Sequence, residues 1–190
     1  MSSARDRILD NFEDILIKEG ERAATMDAVA AAAGVSKGGL LYHFRSKEAM
    51  VEALCERLAA LTAAEADTIK AAPEGAARYY VRTSRYVDSP LDRAIVAAAR
   101  LVQQGHPAAE ATFAGIQDVW LEALESCLGS RALAQAVKLM GDGLYYSATF
   151  LSAGVAAPRV TDEELEAVLE QVDVLVAASS RPDEGPAAAR

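Results

Sequence analysis

The sequence predicts an all-α protein of about nine helices in total, a compact triplet of short helices followed by a larger helical bundle. Three observations carry that prediction. Alanine, the strongest helix former, is the commonest of the 190 residues. No stretch sustains the apolar–polar alternation of a strand between hairpin signals such as Asn-Gly. Near residue 47 short capped segments give way to much longer ones, and that change in helix length divides the chain.

The elements follow in order. Ile8, Leu9, Phe12, Ile15 and Leu16 recur at helical spacing with Arg5, Asp6, Glu13 and Lys18 between them, so the first helix is amphipathic, and it stops at Gly20. Thr25 can cap a short helix over Met26 to Ala33, with Gly34 as its left-handed stop. Ser36 caps the next, about Lys37 to Phe44, and Ser46 caps a long helix beginning at Lys47, uninterrupted until Pro73. Gly75, Ser89-Pro90, Gly105-His106-Pro107, Gly129-Ser130 and the stretch from Gly154 to Pro158 then punctuate the chain into helices of about 13 to 25 residues. The last, near Asp162 to Ala178, opens Thr-Asp-Glu-Glu and lines up Leu165, Val168, Leu169, Val172, Leu175 and Val176. Residues 180–190 read as a flexible C-terminal tail.

Composition excludes several classes of function. An uninterrupted apolar run of about 18 residues, the length of a spanning helix, does not occur, and the N-terminus lacks the order of a signal peptide, so a cytoplasmic protein is expected. Cys55 and Cys127 are far apart and without zinc spacing, which reads as two reduced structural thiols. The net charge of −9 argues at first against nucleic acid, since phosphate binding requires Lys and Arg. That charge is unevenly placed. Residues 1–48 hold 7 basic and 8 acidic groups, and residues 49–190 hold 12 and 20. From Gly34 to Lys47 the chain carries Lys37, His43, Arg45 and Lys47 and no acid. An acidic bundle would repel DNA and leave only the head to approach it.

Two short capped helices joined by Ala33-Gly34-Val35-Ser36 match a helix-turn-helix, whose second helix can enter a major groove. The run Thr25-Met26-Asp27-Ala28-Val29-Ala30, then Ala33-Gly34-Val35-Ser36-Lys37-Gly38-Gly39-Leu40-Leu41-Tyr42-His43-Phe44-Arg45-Ser46-Lys47-Glu48, resembles the TetR family of bacterial transcriptional regulators. The motif covers about a quarter of the chain. The resemblance implies residues 1–47 as a helix-turn-helix DNA-binding domain and residues 48–179 as a ligand-binding and dimerisation domain.

The DNA-binding candidates are Thr25, Ser36, Lys37, Gly38, Gly39, Leu41, Tyr42, His43 and Lys47. Lys37, in the first turn of the recognition helix, can pair with guanine O6 and N7. Gly38 and Gly39 are poor helix formers, read either as room for close backbone approach to DNA or as loose helix initiation. Tyr42 and His43 can donate to phosphate, and His43 can equally be a core-edge cap. Lys47 and the freed N–H groups of its helix can grip one phosphate together. Thr25 can add a hydroxyl contact, although capping alone accounts for it. Leu41 stands where the family often has a second Tyr, and either touches a thymine methyl or packs locally. Leu40 and Phe44 face inward to Phe12, Ile15 and Val29.

Eight of the eleven aromatics lie beyond residue 73. Tyr79, Tyr86, Phe113, Trp120, Tyr145 and Tyr146, with Asp142, are candidates to line an internal pocket for a small apolar or aromatic effector, with ordinary core packing as the alternative. Arg78, Arg82 and Arg85 recur as one stripe, expected to be a solvated face. The last two helices, about 130–153 and 162–178, carry apolar surface for both a core face and a homodimer contact. Dimerisation would place two recognition helices about 34 Å apart to read a palindrome. The reading is a sequence-specific DNA-binding regulator, most simply a repressor released from a palindromic operator by its effector, with no cofactor or metal. The alternatives are a ligand-independent DNA-binding or partner-binding regulator, and an enzyme on a helical bundle. The last lacks parts: two His and two Cys form no ligand cluster, and no glycine-rich phosphate loop precedes a helix.

Overall fold

The computed structural model describes residues 3–151 and 160–179, with the main chain alone at 150 and 151. Among these residues there are nine α-helices and no strand. They are α1 (Ala4–Glu19), α2 (Met26–Ala32), α3 (Lys37–His43), α4 (Lys47–Ala71), α5 (Ala76–Thr83), α6 (Pro90–Val102), α7 (Pro107–Leu128), α8 (Arg131–Tyr146) and α9 (Asp162–Ser179). A π-helical turn, Ser147–Leu151, follows α8. The expected tail at 180–190 and the break from Gly154 to Pro158 lie outside the described residues.

Two compact units emerge, one built from the chain up to Glu65 with Val87–Val119, the other from Ala66–Tyr86 with the described residues from Trp120 on. In the first unit, Ile8, Phe12, Leu16, Val29, Leu40 and Phe44 are almost wholly buried, so the triplet closes on the apolar stripe of α1. Arg5 covers the Phe44 ring, its guanidinium carbon 4.9 Å from the centroid. Helix α1 also carries several of the unit's charged contacts. Arg57 of α4 donates to Asp10 at 2.7 Å and Glu13 at 2.8 Å, and Arg93 of α6 pairs with Asp14. Glu13 is buried, and burial raises its carboxyl above the usual value against the pull of Arg57. Burial also pushes Asp14 up, but hydrogen bonds from Arg93 and Lys18 outweigh it and the carboxyl is lowered. Cys55 is buried and its thiol is raised by that burial, while Cys127 is exposed.

In the second unit α5 packs against α8 and α9. Helix α5 is shorter than the spacing of breakers suggests. The Thr83 and Ser84 hydroxyls donate to the Tyr79 and Tyr80 carbonyls at 2.8 and 2.7 Å, closing the helix early, and the chain leaves through Asp88 at φ 59°. The arginine stripe is not a freely solvated face. Arg78 bridges Glu166 and Asp173 of α9 at 2.6 and 2.8 Å, and Arg85 reaches Asp162 at 2.8 Å, so two of the three tie α5 and the turn after it to α9. The third, Arg82, pairs with Glu74 and lies over the Tyr79 ring.

Candidate functional site

The chain from Thr25 to Ser46 is built from three side-chain caps. Thr25, Ser36 and Ser46 each accept a hydrogen bond from the N–H three residues on, at 3.2, 3.1 and 3.1 Å, and so start α2, α3 and α4. Between α2 and α3 the chain turns at Gly34, φ 66°, a left-handed conformation that glycine adopts without strain. Leu40 and Phe44 anchor α3 inward. The opposite face is left open: Lys37, Gly38, Leu41 and Tyr42 are exposed, Tyr42 at 86%.

The two glycines of α3 differ. A Cβ built at Gly38 meets nothing within 4 Å, so no neighbour in the chain demands glycine there. At Gly39 a Cβ would come within 3.3 Å of the Ser36 hydroxyl that caps the helix. His43 is half-buried, with the Tyr42 ring edge-on to it at 5.1 Å. The lysines are held. Lys37 Nζ lies 2.9 Å from Asp27, and Lys47 donates to the main-chain oxygen of Glu21 at 2.8 Å and to the Glu21 carboxylate. Glu48 adds a second acid at the start of α4, its carboxyl held below the usual value by its own backbone N–H and by Ser46. Arg45, which sequence reasoning counted only as local charge, is exposed at the end of α3 and has no ion-pair partner among the described residues.

Residues 8–54 match the family described as bacterial regulatory proteins, tetR family. Over 56 residues, 30% of this chain, the sequence is 36% identical to YerO of Bacillus subtilis, an uncharacterized HTH-type transcriptional regulator. Over this segment the chain is similar to the TetR family. The matched segment spans 19% of the length of YerO. The fold of the chain is similar to that of several solved structures. Salmonella enterica GusR aligns with a TM-score of 0.65 at 18% identity, over 92% of this chain and 95% of that one. The TetR family transcriptional regulator PfmR of Thermus thermophilus aligns with a TM-score of 0.62 at 21% identity, over 97% and 100%. A multidrug binding protein, EbrR, complexed with imidazole, gives 0.59 at 18%, over 90% and 96%.

The candidates for an effector site fall into both units. Phe113 belongs to the first and is half-buried. In the second, the organising residue is Tyr80, one of the eight aromatics beyond residue 73 but not one of the residues proposed from sequence to line the pocket. Its hydroxyl donates to Asp142 at 2.9 Å, its ring meets the Trp120 ring edge-on at 6.5 Å, and Gly141 lies so close that a Cβ there would be 2.6 Å from the Tyr80 ring. Asp142 also accepts from Lys138 at 2.6 Å, and Lys138 is only 5% exposed. Its i, i+4 spacing was the one sequence signal for that pair. The Trp120 indole N–H is buried and has no acceptor among the described residues. Tyr79, Tyr86 and Tyr145 are half-buried, and Tyr146 is exposed on α8. A cleft of about 310 Å³ in the first unit, lined by residues such as Ile17, Glu21 and Arg100, includes none of these aromatics.

Proposed function

We propose that the chain is a DNA-binding transcriptional regulator, most simply a repressor, which reads a palindromic operator as a homodimer and is released by a small apolar or aromatic effector. The observation that carries this reading is the outward face of α3, where Lys37, Gly38, Leu41 and Tyr42 stand clear of the core inside a segment that matches the tetR family. An exposed helix face with a lysine in its first turn, a side-chain-free position beside it and a phenol at its far end suits a major groove. Residues 1–47 are the reading domain in this proposal, and residues 48–179 bind the effector and dimerise. Lys37 reads base edges, Tyr42 and His43 hold phosphate, and Lys47 grips a phosphate at the start of α4. Thr25 and Ser36 act first as caps and Leu41 as an apolar contact. Such a protein works in the cytoplasm, and no described helix is long and apolar enough to cross a membrane.

Dimerisation through α8 and α9 is supported by apolar side chains that these helices leave outside. Leu139 is 61% exposed and Tyr146 55% on α8, and Val174 is 60% exposed on α9. An effector site in the second unit is supported by the buried Trp120 indole N–H, which has no acceptor among the described residues, beside the Tyr80–Asp142–Lys138 cluster, and by the solved neighbour described as a multidrug binding protein. Gel shift with palindromes from the chain's own upstream region tests the DNA reading. Salt-sensitive binding to one fragment over shuffled sequence is expected, and equal affinity for all fragments would sink it. A regulator without ligand response would show no thermal shift across a chemical panel, where an effector at 100 times its dissociation constant should add about 2.7 kcal/mol.

A further inference from the structure

The two lysines on the proposed DNA-facing side are already engaged within the chain. The Lys37–Asp27 pair is well exposed, so water competes with it strongly. The Lys47–Glu21 pair is different in kind, because the two side chains are only 25% and 29% exposed and 26 residues separate them in sequence. Glu21 reaches the start of α4 because Gly20, at φ 86°, turns the chain out of α1 immediately before it. Lys47 then donates twice to one residue, to the main-chain oxygen at 2.8 Å and to the carboxylate.

A phosphate seated at the N-terminus of α4 would seek the same ammonium. The main-chain oxygen fixes where that ammonium sits, and the carboxylate cancels its charge. We propose that Glu21 is a positioning residue that competes with DNA phosphate for Lys47, so that every encounter with DNA must displace a carboxylate before that contact forms. The inference rests on the reading of residues 1–47 as a DNA-binding domain. Its consequence is weaker binding to DNA of any sequence, because a phosphate contact carries no sequence information. Arg45, without a carboxylate partner among the described residues, is not restrained in this way.

The experiment is a double-mutant cycle read by fluorescence anisotropy on a short fluorescein-labelled duplex of mixed sequence at low salt, which needs no known operator. Glu21→Gln keeps the main-chain oxygen and removes the charge, and should bind about threefold to tenfold more tightly than wild type. In a Lys47→Ala background the same substitution should change nothing. Glu19→Gln, which removes an exposed acid two residues away, should give less than the Glu21→Gln gain. A gain that persists without Lys47, or that Glu19→Gln equals, would show that Glu21 acts only as bulk charge and overturn the proposal. Weaker binding by Glu21→Gln would also overturn it, because the carboxylate would then be aiming Lys47 at phosphate. Thermal unfolding monitors each variant, and Glu21→Asp, which withdraws the carboxylate by one methylene, should move affinity the same way if Glu21→Gln folds poorly. Wild-type protein that fails to bind the duplex at all would reject the DNA reading itself, a result separate from the cycle.

Discussion

Gly38 offers a perturbation in which stability and DNA binding should move in opposite directions. The residue lies in the first turn of α3, is exposed, has ordinary helical backbone and has open space where a Cβ would sit. Gly38→Ala therefore removes a poor helix former with no steric cost inside the chain, and should stabilise the protein by about 0.5 to 1 kcal/mol. If α3 enters a major groove, the added methyl meets DNA instead of water, and overpacking of about 1 to 3 kcal/mol weakens binding by about fivefold to a hundredfold or more. Gly39→Ala is the internal control. It has the same helix-propensity gain, but its Cβ would press the Ser36 hydroxyl at 3.3 Å, and a disturbed cap costs about 1 kcal/mol, so its net effect on stability should be near zero. Urea unfolding measures the first quantity and gel shift the second. A Gly38→Ala protein that is more stable and binds DNA as tightly as wild type would refute the idea that this open space is kept for DNA.

Other predictions divide the charged and packed positions. Lys47→Ala should weaken all sequences alike and lower the salt slope by about 1, while Lys37→Ala should relax base preference, as read by gel shift on operator variants at several salt concentrations. Gly141→Ala would place a methyl 2.5 Å from the Ser84 hydroxyl and 2.6 Å from the Tyr80 ring, and the overpacking should outweigh the helix gain, for a net loss of about 1 to 2 kcal/mol by urea unfolding. Glu13 and Asp14 should titrate with opposite sign. The raised carboxyl of Glu13 adds stability below its unfolded value of 4.5 that is lost as pH rises through the folded value, so the melting temperature of wild type minus Glu13→Gln should fall with rising pH. The lowered carboxyl of Asp14 adds stability above 3.8 that is lost as pH falls, so wild type minus Asp14→Asn should narrow in acid. Leu139→Glu should shift the protein toward monomer in sedimentation if α8 lies in the dimer contact, because it places a charge where an apolar side chain stands 61% exposed.

Much of the three-helix segment at the N-terminus was legible because its determinants are local. Thr25, Ser36 and Ser46 cap, Gly34 turns, and Leu40 and Phe44 lie four apart, and each of these is a relation across a few residues. The early end of α5 was harder to see. It depends on whether the Thr83 and Ser84 hydroxyls turn back on their own helix, and a serine or threonine in sequence leaves that choice open. The pairing of Arg78 with Glu166 and Asp173 was out of reach for a different reason, since the partners lie 88 and 95 residues away.

By itself the sequence determined the helical class, the helix-turn-helix and its basic run, because periodicity, caps and local charge act over a turn or two of chain. Tertiary structure alone decided which charges meet. It gave Glu21 to Lys47, Asp10 and Glu13 to Arg57, Asp14 to Arg93 and Asp142 to Tyr80. Coulomb attraction and hydrogen bonding depend on distance in space and on burial, and neither is fixed until helices far apart in sequence have packed. The acidic balance of the chain shows the same division: its count is a property of the sequence, whereas its effect depends on which carboxylates the fold has set against a lysine or arginine.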